Sequence, residues 1–316
     1  SAVPVNVNFR YVEGELRHLY DDADLVAVIH HQQFSPRVGA VAPEAATLEH
    51  LVVVADSSDA KVAESAIDYE TAMAGASAAR PDGAARSSDD HYIAYTGGTT
   101  GMPKGVVWRQ EDIFFAAMGG GDVFQSGNFI KTPEELLDRL PEVGGTILTT
   151  PPLMHVSAQW GVFHSLFAGG RVVFPPQGAF DADAIWTHVA TEGVNILTIV
   201  GDAMARPLAE SYAAAADAGT PYDASSLFVV GSGGAVLSTQ AKARLTELLP
   251  SLMVVDGFGS SETGIVGSKM HVSGDTTTAP KFTVNAQTQV LGEDGTPVEP
   301  GSGAVGRLAR KGYVPL

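Results

Sequence analysis

Short runs rich in Val, Ile and Leu alternate with helix-length amphipathic stretches from Val5 to about Ile199, and no other feature constrains the fold as much. The runs predict strands at Leu25–Ile29, His50–Ala55, Tyr92–Tyr95, Thr146–Thr149, Arg171–Phe174, Ile196–Val200, Leu227–Val230 and Leu252–Val255. Between them the periodicity predicts helices such as Val62–Ala74, Ala158–Phe167, Ala182–Thr191 and Thr239–Leu248. Strands separated by helices pair mostly in parallel and are covered on both faces. The expected class is α/β, and 316 residues suit two packed α/β subdomains of roughly 100–200 residues each.

The pattern changes after Gly264. Phe282–Val284, Thr288–Leu291, the turn Glu293-Asp294-Gly295 and Gly303–Ala309 read as a β-rich appendix built on hairpins. Residues 1–265 are therefore expected to form the α/β core and 266–316 a β-rich segment. Gly75–Asp90 reads as a surface connection, and Met118–Gly145, with a short helix at Pro133–Leu140, as an insertion. Ser1–Asn6 already reads as a strand inside a domain, and Gly306–Gly312 stops just after one, so both ends are expected to be cuts.

Apolar residues make up 45% of the chain, enough for a large core, and the net charge is −17. An acidic surface argues against nucleic acid or an anionic membrane as the main partner. It leaves nucleotides open, because backbone N–H groups and Mg²⁺ can hold phosphates without a basic surface. There is no cysteine, hence no disulfide, thiolate metal site or Cys nucleophile. No apolar run reaches the ~18–20 residues of a membrane span, and no secretory segment opens the chain. The expectation is a soluble cytoplasmic protein, and nothing selects an oligomeric state.

The most informative stretch is Tyr95-Thr96-Gly97-Gly98-Thr99-Thr100-Gly101-Met102-Pro103-Lys104-Gly105-Val106, which follows a strand. Glycines let a backbone turn its N–H groups inward and threonine hydroxyls add donors, so such a loop can wrap phosphate oxygens. A Walker A loop needs Lys directly after the last Gly, whereas Met102 and Pro103 stand between Gly101 and Lys104. The bland alternative for a Gly/Thr cluster is a flexible surface loop. The whole string, however, resembles the signature of the adenylate-forming superfamily of acyl-CoA synthetases, peptide-synthetase adenylation domains and luciferases. Its companions follow in order: Pro151-Pro152-Leu153-Met154-His155, Gly231-Ser232-Gly233-Gly234-Ala235-Val236-Leu237, Asp256-Gly257-Phe258-Gly259-Ser260-Ser261-Glu262-Thr263-Gly264, and Gly306–Gly312.

The resemblance is strongest to fatty acyl-CoA ligases of actinobacterial type, acting on fatty acids or sterol side chains. It implies a truncated large N-terminal domain of the adenylate-forming fold, with ATP, Mg²⁺ and CoA as co-reactants. Thr96, Gly97, Gly98, Thr99, Thr100 and Gly101 would hold the β- and γ-phosphates, with Lys104 anchoring the loop or touching phosphate. Glu262 would bind Mg²⁺, its bland alternative being a solvated turn glutamate, and Ser261 would contact the α-phosphate. Phe258 would stack on adenine, Asp256 would accept from the adenine amino group, and Gly257 and Gly259 would belong to the same nucleotide site. Gly233, Gly234 and Ala235 would line the adenine and the start of the acyl tunnel.

His155 would orient the carboxylate or gate the acyl site, against a purely structural reading. Met154, Trp160, Val200 and Met204 are nominated for the acyl pocket, and each serves equally as core packing. With no Arg or Lys expected to be buried in these stretches, nothing asks for a second charge on the substrate, and an apolar acid fits best. His30 and His31 alternate across a strand end and read as structural. The ribose-binding Asp and the small C-terminal lid domain are expected to follow Leu316, so weak nucleotide binding and poor turnover are expected of these residues alone. The rival readings are an adenylation domain serving a carrier protein and a non-catalytic adenylate-binding relative. A serine hydrolase is disfavoured by the lack of a G-x-S-x-G elbow.

Overall fold

Leu16, Leu19 and Tyr20, spaced to share one helical face, build the core of the first unit from helix α1 (Glu13–Asp22). Strands β1 (Ala27–His31), β2 (His50–Val54) and β3 (Ile67–Asp68), with helices α2 (Ser35–Val41) and α3 (Tyr69–Gly75), complete it. Val28 and Leu51 are register partners in the parallel β1–β2 pair and pack with Val38 and Val41 against α1. A separate two-stranded sheet pairs β4 (His91–Thr96) with β5 (Lys104–Arg109). The computed structural model describes residues 2–79, 85–97, 101–122, 128–176, 178–275, 282–284 and 286–316. It resolves into two compact units, Ser1–Val107 and Trp108–Leu316.

The second unit begins with helices α4 (Gln110–Ala117) and α5 (Glu135–Asp138). Strand and helix then alternate: β6 (Thr146–Thr149), α6 (Val156–Phe167), β7 (Arg171–Val173), α7 (Ala182–Glu192), β8 (Ile196–Ile199), α8 (Gly201–Asp217), β9 (Val229–Ser232), α9 (Thr239–Leu248) and β10 (Met253–Ser260). β11 (Gly264–His271), β12 (Thr283–Val284), β13 (Thr288–Leu291) and β14 (Arg307–Arg310) follow. Seven strands form one sheet in the order β12-β11-β10-β9-β8-β6-β7. β7 to β10 and β6 all pair in parallel, while β11 and β12 turn back antiparallel.

From β6 the chain goes outward to β7, then crosses back to β8 on the other side of β6. That reversal is a topological switch point, and in open α/β sheets ligands bind outside the carboxyl ends of the strands flanking such a point. Leu148, Leu197, Val230 and Val254 face one side and bury against α7, α8 and α9 in a continuous core. The other face carries Ile147, whose Cδ1 would stand 3.9 Å from a Cβ added at Gly161 on α6. Local chemistry sets the helix starts: Asp181 accepts from the Asp183 and Ala184 N–H groups, and Ser238 from that of Ala241. Among the described residues no helix is long and apolar enough to cross a membrane.

The α/β class with mostly parallel sheets is as expected, and most elements lie within a few residues of their predicted bounds. Four differ from the expectation. The helix expected at Val62–Ala74 starts only at Tyr69, because Asp68 caps it by accepting from the Thr71 N–H at 2.8 Å and the preceding residues pair as β3. The strand expected at Ser1–Asn6 is reduced to a bridge between Val5 and Ile93. The strand expected to stop at Val255 continues to Ser260, because antiparallel β11 supplies partners through Asp256-Gly257-Phe258. The helix expected at Pro133–Leu140 is shorter, Glu135–Asp138.

Candidate functional site

In the first unit, β4 ends at Thr96 and β5 opens at Lys104, so the Gly/Thr loop is the connection between paired strands. Gly98, Thr99 and Thr100 lie outside the described residues. Gly97 and Gly101 are exposed, as is Lys104, and Thr96 is half-buried. Gly105 is glycine for a steric reason: a Cβ there would stand 2.9 Å from the Tyr95 ring. An exposed lysine at the start of a strand suits anchoring or contact with a solvent-facing phosphate.

In the second unit, the carboxyl ends of β6, β8, β9 and β10 line up. Thr149 pairs with Thr198, and Ser232 with Asp256, in parallel register. Two of the motifs, Gly231–Leu237 and Asp256–Gly264, therefore start on adjacent strands. The Thr150 hydroxyl donates to the Thr198 carbonyl at 2.7 Å and lies 3.1 Å from the Met204 sulfur. The Val200 N–H points at the same sulfur at 3.3 Å. The structure thus brings Val200 and Met204 together at the switch point.

His155 is exposed and serves as the N-terminal residue from which α6 springs, and Met154 before it is half-buried. Trp160, one turn into α6, is buried, and its indole N–H has no hydrogen-bond partner among the described residues. The Thr149 and Thr198 hydroxyls are likewise buried and unpartnered. Unsatisfied polar groups of this kind are rare in native interiors and mark places where a ligand or water completes the bonding.

The turn that follows β8 is tied to the turn that follows β9. Gly201 N–H donates to the Ser232 hydroxyl at 3.1 Å, Asp202 N–H to the Val236 carbonyl at 3.1 Å, and Ser238 N–H to the Asp202 carboxylate at 2.7 Å. The Ser238 bond, with help from Arg206, holds the Asp202 carboxyl below the usual carboxylate range. Gly233 is half-buried, whereas Gly234 and Ala235 are exposed.

Asp256 carries a partner that periodicity hints at and motif reading misses. Lys242 donates to its carboxylate at 2.6 Å, with side-chain exposures of 9% and 13%. The hint is positional: Ala241, Lys242 and Leu245 share the buried face of α9, so a lysine there needs an anion. Two residues on, the Phe258 ring meets the Phe282 ring edge-on at 4.7 Å. Gly257 and Gly259 flank it, and the β10–β11 register shifts between Phe258 and Gly259.

The β10–β11 turn presents Glu262 to solvent and is braced from behind. Trp108 donates its indole N–H to the Ser261 carbonyl at 2.9 Å. Arg310 donates to the carbonyls of Thr263 at 2.5 Å and Ile265 at 2.8 Å, and burial pushes its guanidinium pKa down. Gly264 adopts φ +66°, and a Cβ there would strike the Ala116 carbonyl. Glu262, Ser260, Ser261 and Thr263 offer only oxygen donors, which suits a hard divalent cation shared with phosphate oxygens. No group of three or more His, Cys, Asp or Glu able to hold a metal occurs among the described residues.

Residues 1–314 match the family described as AMP-binding enzyme. The chain belongs to that family. It is 43% identical over its whole length to a medium/long-chain-fatty-acid–CoA/3-oxocholest-4-en-26-oate–CoA ligase of Mycolicibacterium smegmatis, covering 57% of that protein. Against a 3-oxocholest-4-en-26-oate–CoA ligase of Rhodococcus rhodochrous the identity is 42%, again over all of this chain and 57% of the relative. The chain thus spans little more than half the length of these relatives. Among solved structures, an anthranilate–CoA ligase in complex with anthranoyl-AMP superposes with a TM-score of 0.74 at 19% identity, over 97% of this chain and 54% of that one. That likeness shows the AMP-binding fold.

Within this AMP-binding chain, the sequence reading missed Lys242, Arg310 and Trp108. Each acts through a backbone or side-chain contact distant in sequence, and only Lys242 leaves a local trace.

Proposed function

We propose that this chain carries the acid-activating part of an acyl-CoA synthetase, an acid–thiol ligase acting on a fatty acid or related apolar carboxylic acid. A carboxylate oxygen attacks the α-phosphorus of ATP, the bond from that phosphorus to the bridging oxygen breaks, and pyrophosphate leaves. The CoA sulfur then attacks the acyl carbon and AMP departs. The observation that carries the reading is the parallel register of Ser232 with Asp256, which seats two nucleotide-type motifs side by side at the carboxyl end of one sheet.

The Thr96–Gly101 loop with Lys104 holds the β- and γ-phosphates. Asp256 accepts from the adenine amino group and Phe258 offers its ring to the base, with Gly233, Gly234, Ala235, Gly257 and Gly259 allowing close approach. Ser261 contacts the α-phosphate, and Glu262 holds Mg²⁺, which when bound neutralises phosphate charge. His155 orients the acid's carboxylate, and Met154, Trp160, Val200 and Met204 receive its apolar body. The named substrates of the relatives, medium and long fatty acids and a sterol-derived acid, support an apolar acid.

Calorimetric titration with non-hydrolysable acyl-adenylate mimics of short, medium, long and sterol-like acids tests this, beside a Phe258→Ala control. Binding of one acyl class, weakened by the control, supports the proposal and names the acid. A folded chain that binds none of the mimics sinks it.

A further inference from the structure

We infer that helix α1 acts as a brace for the phosphate loop, with His18 and Asp22 as positioning residues that fix the two strand ends from which the loop hangs. The inference rests on reading Thr96–Lys104 as the phosphate cradle. All of the residues it uses lie in the first unit.

His18 and Asp22 are four residues apart on α1 and so project from the same side of it. The His18 Nε2 lies 2.9 Å from the carbonyl oxygen of Pro103, the residue immediately before β5. At the other end, the Tyr95 hydroxyl donates to the Asp22 carboxylate at 2.5 Å, one residue before Thr96. A single helical turn therefore grips the strand leaving for the loop and the strand returning from it.

Each grip is itself held. α1 is fixed by Leu16, Leu19 and Tyr20 in the core. Tyr95 is held on its backbone by Asn6, which accepts from the Tyr95 N–H at 2.8 Å and donates to its carbonyl at 2.9 Å. Its ring lies against Gly105 of β5, where any Cβ would collide. Because a carbonyl only accepts, His18 must carry a proton on Nε2, which both the neutral and the cationic imidazole can supply.

Catalysis of phosphoryl-type attack depends on donors already aimed where charge develops. Strand ends already held in place leave less conformational freedom to be lost when phosphate binds beside them. The consequence is selective. An acyl-adenylate keeps the α-phosphate and lacks the β and γ, so loosening the loop should weaken ATP–Mg²⁺ and pyrophosphate while sparing the adenylate mimic.

The test is calorimetric titration of this chain with ATP–Mg²⁺, with pyrophosphate–Mg²⁺ and with an acyl-adenylate mimic, for His18→Ala, His18→Gln, Tyr95→Phe and two loop controls, Thr96→Ala and Gly97→Asp. His18→Ala and Tyr95→Phe are expected to weaken both phosphate ligands about five- to tenfold, the size of one lost hydrogen bond, and to leave the mimic unchanged. His18→Gln, whose amide can reach the same carbonyl, is expected to restore most of the loss. Wild-type affinity in His18→Ala and Tyr95→Phe, with weakened loop controls, overturns the brace alone. Equal weakening of the mimic overturns it too, since that is a general loss of fold. Loop controls that bind ATP–Mg²⁺ like wild type overturn the phosphate-loop reading, and the brace with it.

Discussion

The ammonium of Lys242, on helix α9, sits 2.6 Å from the carboxylate of Asp256, on strand β10, and both are almost wholly withdrawn from water. The attraction within such a pair is strong, but so is the penalty for having removed both charges from solvent. The pair ties the start of the Asp256–Gly264 motif to helix α9 through one carboxylate oxygen, Oδ2.

Removing one partner strands the other charge. Lys242→Met should cost about 3–5 kcal/mol in chemical denaturation, and Lys242→Met with Asp256→Leu should cost less than Lys242→Met alone. Additive losses in that cycle would show that the two side chains do not depend on each other.

Arg310 holds the Glu262 turn through the carbonyls of Thr263 and Ile265. Arg310→Ala should cost on the order of 2 kcal/mol in stability, since a charged donor serves both oxygens. It should also raise the Mg²⁺ concentration needed for half-maximal nucleotide binding. A lysine, with a point charge instead of a planar fork, should recover only part of either effect. An unchanged Mg²⁺ requirement would separate Arg310 from the metal-binding role proposed for Glu262.

Thr149→Val replaces a buried, unpartnered hydroxyl with a methyl group of nearly the same shape. The ligand-free chain should gain about 1 kcal/mol, read as a higher denaturation midpoint. A loss of stability would mean that ordered water already satisfies this hydroxyl.

Asp202 has its carboxyl pKa lowered mainly by the Ser238 N–H. A carboxyl depressed on folding adds stability that is fully present above its unfolded value, about 3.9, and that disappears as pH falls through the lower folded value. Denaturation of wild type and Asp202→Asn should therefore differ most near neutrality and converge below about pH 4. A gap that stays constant across this range would show that ionisation of Asp202 is not what joins the two turns.

Local chemistry explains which parts of this architecture were legible in the sequence. Helix α9 runs over its expected residues, Thr239–Leu248, because apolar period and the Ser238 cap agree about its start. The helix expected from Val62 failed where they conflict, since Asp68 caps later than the apolar pattern begins. β10 was cut short because Asp256-Gly257-Phe258 has poor strand propensity, and the pairing that keeps it extended comes from β11. The motif residues were visible as types in order, but Lys242, Trp108 and Arg310 were not visible as their supports. Those contacts join residues 14, 153 and 47 positions apart.

The crossing of the chain from β7 back to β8 has a consequence for how such proteins diversify. Positions proposed to select the acid follow β6 and β8, whereas those proposed to read the nucleotide follow β9 and β10. On the proposed assignment, substitutions at Val200 and Met204 would alter the acid accepted while leaving untouched the strand ends proposed to read the nucleotide.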